Sequence, residues 1–301
     1  MNGSPSPVRT VSSVYRRELR WFLLPYLSGA LALIGVPALL MLGLSFFTYD
    51  AISPPVWAGT LNFQDVAAEP QTWVALRNTL YFIFLAVPLR LLLALGLALL
   101  FNAPRRGVGV YRMAVYLPTT IPDVAYALIW LWIVNPFYGP LNLVLRALGL
   151  PAPDWLTDFN TAKLPFVMMS LLQIGESFVI LLAGLHAQSR EVHEAAAVDG
   201  ASRWQRLRHM TLPLLKPWLL IVIVRDVILG FQYTFTPSLV MTGGDPYYAT
   251  LFTPLLIYEE AFDRFRFGQG AVIMLLTFAL TAYLLYSLFQ LSKGWGYADE
   301  T

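Results

Sequence analysis

The stretch "EAAAVDGASRWQRLRHMTLP", residues 194–213, is polar and basic, and long apolar runs lie on both sides of it. Of the 301 residues in the chain, 57% are apolar types and 13% are charged, whereas an average soluble domain has about 25% charged residues. Apolar runs of about 20 residues are long enough to cross a bilayer as helices. The contrast between this stretch and its flanks therefore predicts an all-α polytopic membrane protein, in which residues 194–213 form a loop between spans.

Six apolar runs predict six transmembrane helices, whose ends are defined to within a few residues. They cover approximately residues 21–47, 76–101, 111–134, 164–186, 218–241 and 268–291. No small-residue cleavage site follows the first run, so we expect a retained first helix rather than a cleaved signal. The predicted organisation is an N-terminal tail over residues 1–20, a membrane domain over residues 21–291 and a C-terminal tail over residues 292–301.

The distribution of Lys and Arg predicts the orientation of these spans. Of the 20 Lys and Arg residues, 13 lie on one side of the predicted spans, 5 lie on the other side, and Arg90 and Arg225 lie within spans. The more basic side of a membrane protein faces the cytoplasm. Both termini and residues 188–217, which include the opening stretch, are therefore predicted to be cytoplasmic. The net charge of +2 is too small to indicate a nucleic-acid partner.

Several kinds of chemistry find no support in the sequence. The chain has no cysteine, which excludes disulfides and cysteine metal sites. His186, His193 and His209 lack ligand spacing, so we interpret them as solvated loop residues and expect no metal site. There is no G-x-x-x-x-G-K-[ST] loop to hold the phosphates of ATP. We expect no catalytic residue and no cofactor in this chain.

The polar loop has the composition of two short helices. Residues 189–199 contain a run of three alanines, which favour a helix and leave its surface free of bulky side chains. Gly200 permits a turn, and residues 202–210 form a second helix, which we expect Pro213 and Pro217 to keep from continuing into the fifth span. The residues alone leave two interpretations open: a docking element, or a solvated basic loop.

The spacing of this loop resembles a known family. Glu-Ala-Ala is followed after three residues by Gly, and after nine more by an apolar residue, one residue and Leu-Pro. This resembles the EAA loop of the membrane subunits of bacterial ABC importers, which also lies between spans four and five; Met210 stands where the family usually has Ile. The resemblance implies that the loop couples to an ATPase through Glu194, Ala195, Ala196, Asp199, Gly200, Ala201, Leu212 and Pro213.

Other segments resemble the sugar-type permeases of this family. They are "PYLSGALALIGVPALLMLGLSFFTYD" (residues 25–50), "LRNTLYF" (76–82) and "MTGGDPYYATLFTPLLIYEEAFDRFRFGQGAV" (241–272). The last favours the first permease of the maltose and glycerol-3-phosphate transporter class, although Asp245 replaces a common Gly. The resemblance implies a multi-pass protein of the bacterial inner membrane that imports a carbohydrate or carbohydrate derivative by alternating access. Its implied partners are a second similar permease, an ATPase dimer that holds ATP and magnesium, and an extracytoplasmic solute-binding protein.

Five charged residues lie well inside the predicted spans: Arg90, Glu176, Arg225 and Asp226, with Asp123 nearer the cytoplasmic end of the third span. A charge at the centre of a bilayer costs roughly 2.5–3.5 kcal/mol, so each needs a structural or functional reason. Three interpretations stay open. The charges could pair between helices, for example Arg90 with Glu176 or Asp226; they could contact the substrate; or they could form a cytoplasmic-side gate.

The candidate substrate path rests on polar side chains in spans four and five. Ser170, Gln173 and Ser177 are spaced three and four apart, which places them on one helix face. Amides, carboxylates and an aromatic ring suit a sugar, and the residues with that chemistry are Gln173, Glu176, Ser177, Gln232 and Tyr233. An alternative role for the same residues is to hold the helices together.

A rival from another functional class is an ion-coupled secondary transporter that uses Asp226 or Glu176 as a proton or sodium relay. Such transporters often contain inverted repeats. The sequence has no evident internal repeat, and an ion-coupled transporter would not explain the spacing around Glu194.

Overall fold

The computed structural model describes residues 13–103 and 105–293, in which the regular secondary structure is helical apart from one pair of two-residue strands. The strands β1 (Phe47–Thr48) and β2 (Val56–Trp57) are antiparallel, with Phe47 opposite Trp57. The helices are α1 (Ser13–Ala30), α2 (Val36–Leu44), α3 (Leu61–Ala68), α4 (Pro70–Asn102), α5 (Val108–Tyr116), α6 (Asp123–Ile133), α7 (Pro140–Ala147), α8 (Leu164–Leu172), α9 (Gly175–His186), α10 (Arg190–Val198), α11 (Arg203–Arg206), α12 (Leu212–Tyr233), α13 (Phe235–Pro237), α14 (Thr253–Tyr258) and α15 (Phe267–Lys293).

Three helices of the described residues are long and apolar enough to cross a membrane: Trp21–Leu44, Pro70–Asn102 and Phe267–Lys293. The first consists of the end of α1 and all of α2, which the π-helical turn Leu31–Gly35 joins. Two bent helix pairs raise the number to five if each pair crosses as one unit. The helix α12, at the predicted fifth span, is not among them, because every stretch of 18 residues within it contains Lys216, Arg225 and Asp226.

Two predicted spans are broken rather than continuous, and their prediction as single helices is wrong. In the third, α5 and the following 3-10 turn lie at 101° to α6. Pro118 and Pro122 flank this corner, and neither has a backbone N–H with which to continue a helix. In the fourth, α8 and α9 are bent by 45° at Gln173 and Ile174. Both breaks place polar residues at the middle of the helical bundle.

The long helix α4 is the centre of the packing. It contacts α8, α9, α12 and α14, and its 33 residues span about 50 Å at 1.5 Å per residue. Ala94 and Ala98 are fully buried against Phe178 and Leu181 of α9. Such small residues let neighbouring helices approach closely, so α4, α9 and α12 form a tight unit that fixes the positions of their polar side chains.

The N-terminal part of α4 lies against α3, α14 and α15. Leu255 and Leu256 of α14 and Val272 of α15 pack with Val66 of α3 in one buried cluster. Asn78 of α4 donates hydrogen bonds to the carbonyl oxygens of Tyr248 (2.8 Å) and Leu251 (2.9 Å). These contacts hold the turn after α13, residues 243–252, against α4.

Candidate functional site

Four charged side chains meet where α4, α9 and α12 pack. Asp226 is fully buried and lies 3.5 Å from Nη2 of Arg90 and 2.9 Å from Nη1 of Arg225. The Ser177 hydroxyl lies 3.1 Å and 3.4 Å from the two carboxylate oxygens of Asp226 and donates to that carboxylate. A buried carboxylate needs partners of this kind to offset its desolvation. Of the two pairings considered for Arg90, the structure contains the one with Asp226, whereas Glu176 pairs with Arg225.

The break between α8 and α9 separates the polar residues that the sequence placed on one continuous helix face. Ser170 is buried and donates to the Val167 carbonyl oxygen, and Ser177 is engaged with Asp226. At the break itself, the carbonyl oxygen of Gln173 accepts a hydrogen bond from Arg90 (3.2 Å). The prediction of one Ser170–Gln173–Ser177 face is therefore wrong, because the helix axis turns at Gln173.

The close packing of Gly175 positions this break. A Cβ atom at residue 175 would lie 2.8 Å from the Cα atom of Tyr116 and 2.9 Å from Cγ2 of Thr119. Only glycine leaves room for the turn after α5 to approach α9 so closely. The two helix breaks are therefore in contact, and the residues at both of them face a common space.

That space is a polar cavity of about 250 Å³. It is lined by Arg90, Thr119, Asp123, Gln173, Glu176, Arg225, Leu229, Gln232 and Tyr233. Four of the five predicted substrate-path residues line it, and the fifth, Ser177, is buried behind it against Asp226. The Tyr233 hydroxyl oxygen is buried and has no hydrogen-bond partner among the described residues. The cavity thus offers amides, carboxylates, guanidinium groups and a phenol to a polar solute.

Two polar residues of this cavity were not among the predicted substrate-path residues: Thr119, which the sequence did not single out, and Asp123, which it identified only as a charge in the third span. Both belong to the corner between α5 and α6, where Asp123 is the first residue of α6. The available signal was the pair Pro118 and Pro122, which marks a helix break in the middle of an apolar run. A polar residue beside such a break has a reason to face the interior of the bundle.

One side of the cavity opens onto the surface of the chain. The Glu176–Arg225 pair lies there, with side chains 51% and 26% exposed. Beside it, Leu220, Ile221, Val224, Ile228 and Leu229 line an open apolar groove of about 780 Å³. An ion pair at the edge of an apolar surface is expensive to leave in contact with lipid, so this face is suited to being covered by protein.

The polar loop is a second candidate site, and its turn has a defined geometry. The helix α10 ends with the Ala201 N–H bonded to the Ala196 carbonyl oxygen (2.9 Å) and the Gly200 N–H bonded to that of Ala197 (3.2 Å). This is a Schellman arrangement, which requires a left-handed residue, and Gly200 supplies it with a φ of +83°. The next helix begins with a capping box between Ser202 and Gln205. The local sequence therefore specifies where the first short helix ends and where the second begins.

The predicted coupling residues lie on the surface of this loop. Glu194, Ala195, Asp199, Gly200 and Pro213 are exposed, while Ala196, Ala201 and Leu212 are half-buried. Two large apolar side chains nearby, Val198 and Trp204, are 88% and 66% exposed. Apolar groups exposed on a polar loop are typical of an interaction surface.

The prediction that prolines separate the second short helix from the fifth span is wrong. The helical backbone runs through α11, the π-helical turn Leu207–Thr211 and α12 without an intervening loop. The Leu212 N–H bonds to the Leu207 carbonyl oxygen, and Pro213 follows in the first turn of α12, where a missing N–H costs little. The loop is thus continuous with the helix that carries Arg225, Asp226 and Gln232.

No group of His, Cys, Asp and Glu residues with the geometry of a metal site occurs among residues 13–103 and 105–293. His193 contacts the Gln188 side chain (3.0 Å), and Gln188 donates to the Thr211 carbonyl oxygen (3.1 Å). These two contacts attach α10 to the start of α12.

Comparison with known proteins gives consistent matches along the chain. Residues 90–292 match the model of the family described as binding-protein-dependent transport system inner membrane component. The probable ABC transporter permease protein YesP of Bacillus subtilis is 32% identical, with 91% of this chain and 90% of YesP covered. The trehalose/maltose transport system permease protein MalF of Thermococcus litoralis is 31% identical, with 90% and 92% covered.

A solved structure of a bacterial alginate ABC transporter, in complex with a pentasaccharide-bound periplasmic protein, has a chain with a similar fold. The TM-score is 0.78, and the match covers 93% of this chain and 95% of that one. The sequence identity of 21% limits this likeness to the fold.

Proposed function

The chain belongs to the family of binding-protein-dependent transport system inner membrane components, the permease subunits of ABC importers, and from this premise we propose that it conducts a carbohydrate or carbohydrate derivative into the cell. Permease subunits of this kind are not enzymes. ATP hydrolysis, with its magnesium, belongs to a partner ATPase dimer. The polar cavity at the two helix breaks is the observation that carries the proposal.

The chemistry of the cavity fits a sugar. Gln173 and Gln232 offer amide donors and acceptors, Glu176 offers acceptors, and the Tyr233 ring offers an apolar face with a buried hydroxyl group. Specific sites for small polar ligands combine a few such groups. Relatives whose names include trehalose, maltose and lactose transport support the same substrate class.

We propose that a second, similar permease completes this site. The cavity volume of about 250 Å³ is below the roughly 300–1,000 Å³ of typical ligand pockets. Its open side carries the Glu176–Arg225 pair beside the apolar groove of α12. A partner chain seated on that face would remove the pair from lipid and supply the missing wall.

The continuous helix from Arg203 to Tyr233 suggests how ATPase motion reaches the cavity. One end of it belongs to the polar loop over residues 188–217, which we call the coupling loop, and the other end carries Arg225, Gln232 and Tyr233. A displacement of the loop by the closing ATPase dimer would shift these side chains relative to Arg90 on α4. Alternating access then follows from two arrangements of α12, one open to the solute-binding protein outside and one open to the cytoplasm.

The ion-coupled alternative is not supported. Asp226 is engaged by Arg90, Arg225 and Ser177, and Glu176 is paired with Arg225. A proton or sodium relay needs a carboxylate that can exchange its partner for the ion, and both carboxylates already have arginine partners. Family membership also assigns the energy source to a separate ATPase.

The proposed topology has six spans in the bacterial cell membrane, with α12 as the fifth and both termini in the cytoplasm. Because the chain lacks cysteine, a single introduced cysteine would be the only thiol of this chain to react. We expect Asp245→Cys to react with an impermeant thiol reagent in intact cells, and Arg203→Cys to react only after lysis. Labelling in the reverse order would contradict this orientation. The tail positions Gly3 and Asp299 would serve equally, but they lie outside the described residues.

Removing an amide from the cavity is expected to weaken transport without disturbing assembly. Gln173→Ala or Gln232→Ala loses hydrogen bonds to sugar hydroxyls worth about 0.5–1.5 kcal/mol each, which is about a two- to tenfold change in apparent affinity. Uptake of labelled sugar against concentration measures this, and ATPase co-purification measures assembly.

Ser170→Ala is the control for these variants, because Ser170 lies in α8 near Gln173 but outside the cavity, and its hydroxyl donates, among the described residues, only to the Val167 carbonyl oxygen. It should transport like the wild type. Unchanged transport in both glutamine variants, or loss of ATPase from both, would instead assign these residues to helix packing.

A further inference from the structure

A second cavity, of about 1,080 Å³, lies where α4 and α9 end and the coupling loop begins. Four arginines line it, Arg105, Arg106, Arg112 and Arg206, together with a single carboxylate, that of Glu194. His186 and His193 add two imidazoles. This basic groove is distinct from the substrate cavity and has no role in the proposed conduction path.

Two guanidinium groups of the groove, those of Arg112 and Arg206, are held in place by hydrogen bonds. Nε and Nη2 of Arg112 both donate to the Phe101 carbonyl oxygen, at 3.2 Å and 2.7 Å, which fixes this side chain at the end of α4. Arg206 donates from Nη1 to the His193 carbonyl oxygen (3.4 Å), while its Nε is buried without a hydrogen-bond partner among the described residues. A buried donor without a partner is costly, so Arg206, which lines the groove, has a donor that lacks an acceptor.

The ligand that meets this need is an anion with several oxygens. Guanidinium groups present planar sets of donors that match phosphate, and charge-assisted bonds of this type are the strongest in proteins. With four arginines against one carboxylate, a neutral or cationic ligand would leave the excess positive charge unbalanced.

The position of the groove favours a lipid over a soluble anion. Leu99 of α4 and Leu185 of α9 line it beside the arginines, so an apolar wall meets a cationic wall where two membrane helices end. In the orientation proposed above, on which this step rests, that level is the headgroup region of the cytoplasmic leaflet. Basic pockets at this level are suited to anionic headgroups.

We propose that the basic groove binds the phosphate group of an anionic phospholipid from the cytoplasmic leaflet. Arg105 and Arg106 are exposed and can reach the phosphate from the loop after α4, while Arg112 and Arg206 receive it inside. The lipid would contact α10 through His193, close to Glu194. Its occupancy would therefore stabilise the coupling loop in the position seen here.

The test measures lipid binding to the complete transporter in a neutral detergent. Dioctanoylphosphatidylglycerol is titrated against the complex, with dioctanoylphosphatidylcholine and inorganic phosphate as the comparison ligands. We expect binding of phosphatidylglycerol alone, with affinity reduced about tenfold or more in Arg105→Gln/Arg106→Gln. Both residues are exposed, so the double variant should assemble normally, and ATPase co-purification verifies this.

Arg203→Gln/Arg208→Gln is the matched control, since both arginines are exposed on the neighbouring loop between α10 and α12 but do not line the groove. It should keep the wild-type affinity. Equal loss in the control would indicate diffuse attraction to basic loops and would overturn the site. Equally tight binding of inorganic phosphate would overturn the lipid assignment. Binding only after removal of the ATPase would show that the ATPase covers the groove and would overturn the proposal for the assembled transporter. Because binding is read without transport, a failed proposal about the substrate would leave these outcomes unchanged.

Discussion

Glu194→Lys and Gly200→Trp are each expected to uncouple the ATPase from transport while the chain still reaches the membrane at its normal level. The Glu194 carboxylate is exposed on α10, and its loss would remove a charge-assisted contact worth roughly 1.5–3 kcal/mol, or about tenfold or more in docking affinity. At Gly200, a φ of +83° disfavours any larger side chain. The membrane helices bury their own apolar surface and do not need this loop for insertion.

Membrane level, ATPase co-purification and substrate-stimulated ATP hydrolysis are the three quantities to measure in these variants. Gly149→Trp is a matched control, because Gly149 also has a positive φ (+70°) and nothing within 4 Å of an added Cβ, but lies between the third and fourth predicted spans, away from this loop. Normal levels with lost stimulation in the Glu194 and Gly200 variants, and retained stimulation in Gly149→Trp, fit the coupling role. Full stimulation and transport in both coupling variants would make this loop a solvated basic linker.

Asp226→Asn is expected to cause the largest loss of stability of any single change in the core. The substitution leaves the buried Arg90 guanidinium without its 3.5 Å carboxylate partner. Removing one member of a buried ion pair costs about 3–5 kcal/mol, because the remaining charge is left uncompensated. The expected result is a clearly lower melting temperature of the detergent-solubilised complex, with less chain in the membrane.

Two further variants separate this ion pair from its surroundings. Ser177→Ala removes a hydroxyl that donates to Asp226 and accepts a 3.4 Å hydrogen bond from Arg225, and each lost bond should cost about 0.5–1.5 kcal/mol. The double variant Arg90→Gln/Asp226→Asn should lose less stability than the sum of its two single changes, since contacting residues are coupled. Additive losses would show that Arg90 and Asp226 act independently.

Features that depend on local sequence patterns, namely the family and the helical membrane class, could be predicted from the sequence. The spacing around Glu194 and Gly200 predicted an EAA-type loop, and the family match confirmed the membership that this spacing implies. Runs of apolar residues predicted a helical membrane protein, since length and hydropathy suffice for that. The roles of the individual coupling residues stay predictions.

The breaks in the helices were not predicted, because a window of about 20 residues averages over a bend. The corner before Asp123 had a signal in Pro118 and Pro122, but the bend at Gln173 has no proline beside it. It depends instead on the close approach of Gly175 to Tyr116 and Thr119, a tertiary contact that periodicity does not contain. The polar stripe assigned to one helix face was wrong for this reason.

The pairing of the charged residues within the membrane could not be predicted from the sequence either. Arg90, Glu176, Arg225 and Asp226 could each be identified as costly residues, yet their pairing depends on how α4, α9 and α12 pack. Similarly, Pro213 was expected to end a helix, whereas the preceding π-helical turn places it in the first turn of α12. The tendency of Pro213 to end a helix was therefore outweighed, and the helix continues from the loop to the cavity.

Uptake of labelled sugar into proteoliposomes would show whether this chain works as part of an ATP-driven importer. The vesicles would contain this chain with its partner permease, the ATPase dimer and the solute-binding protein, in the presence of ionophores that abolish ion gradients. We predict that uptake requires ATP on the ATPase side of the membrane and the binding protein on the other side. We also predict that uptake continues when proton and sodium gradients are absent. Uptake by this chain alone, driven by an ion gradient and independent of ATP, would contradict it.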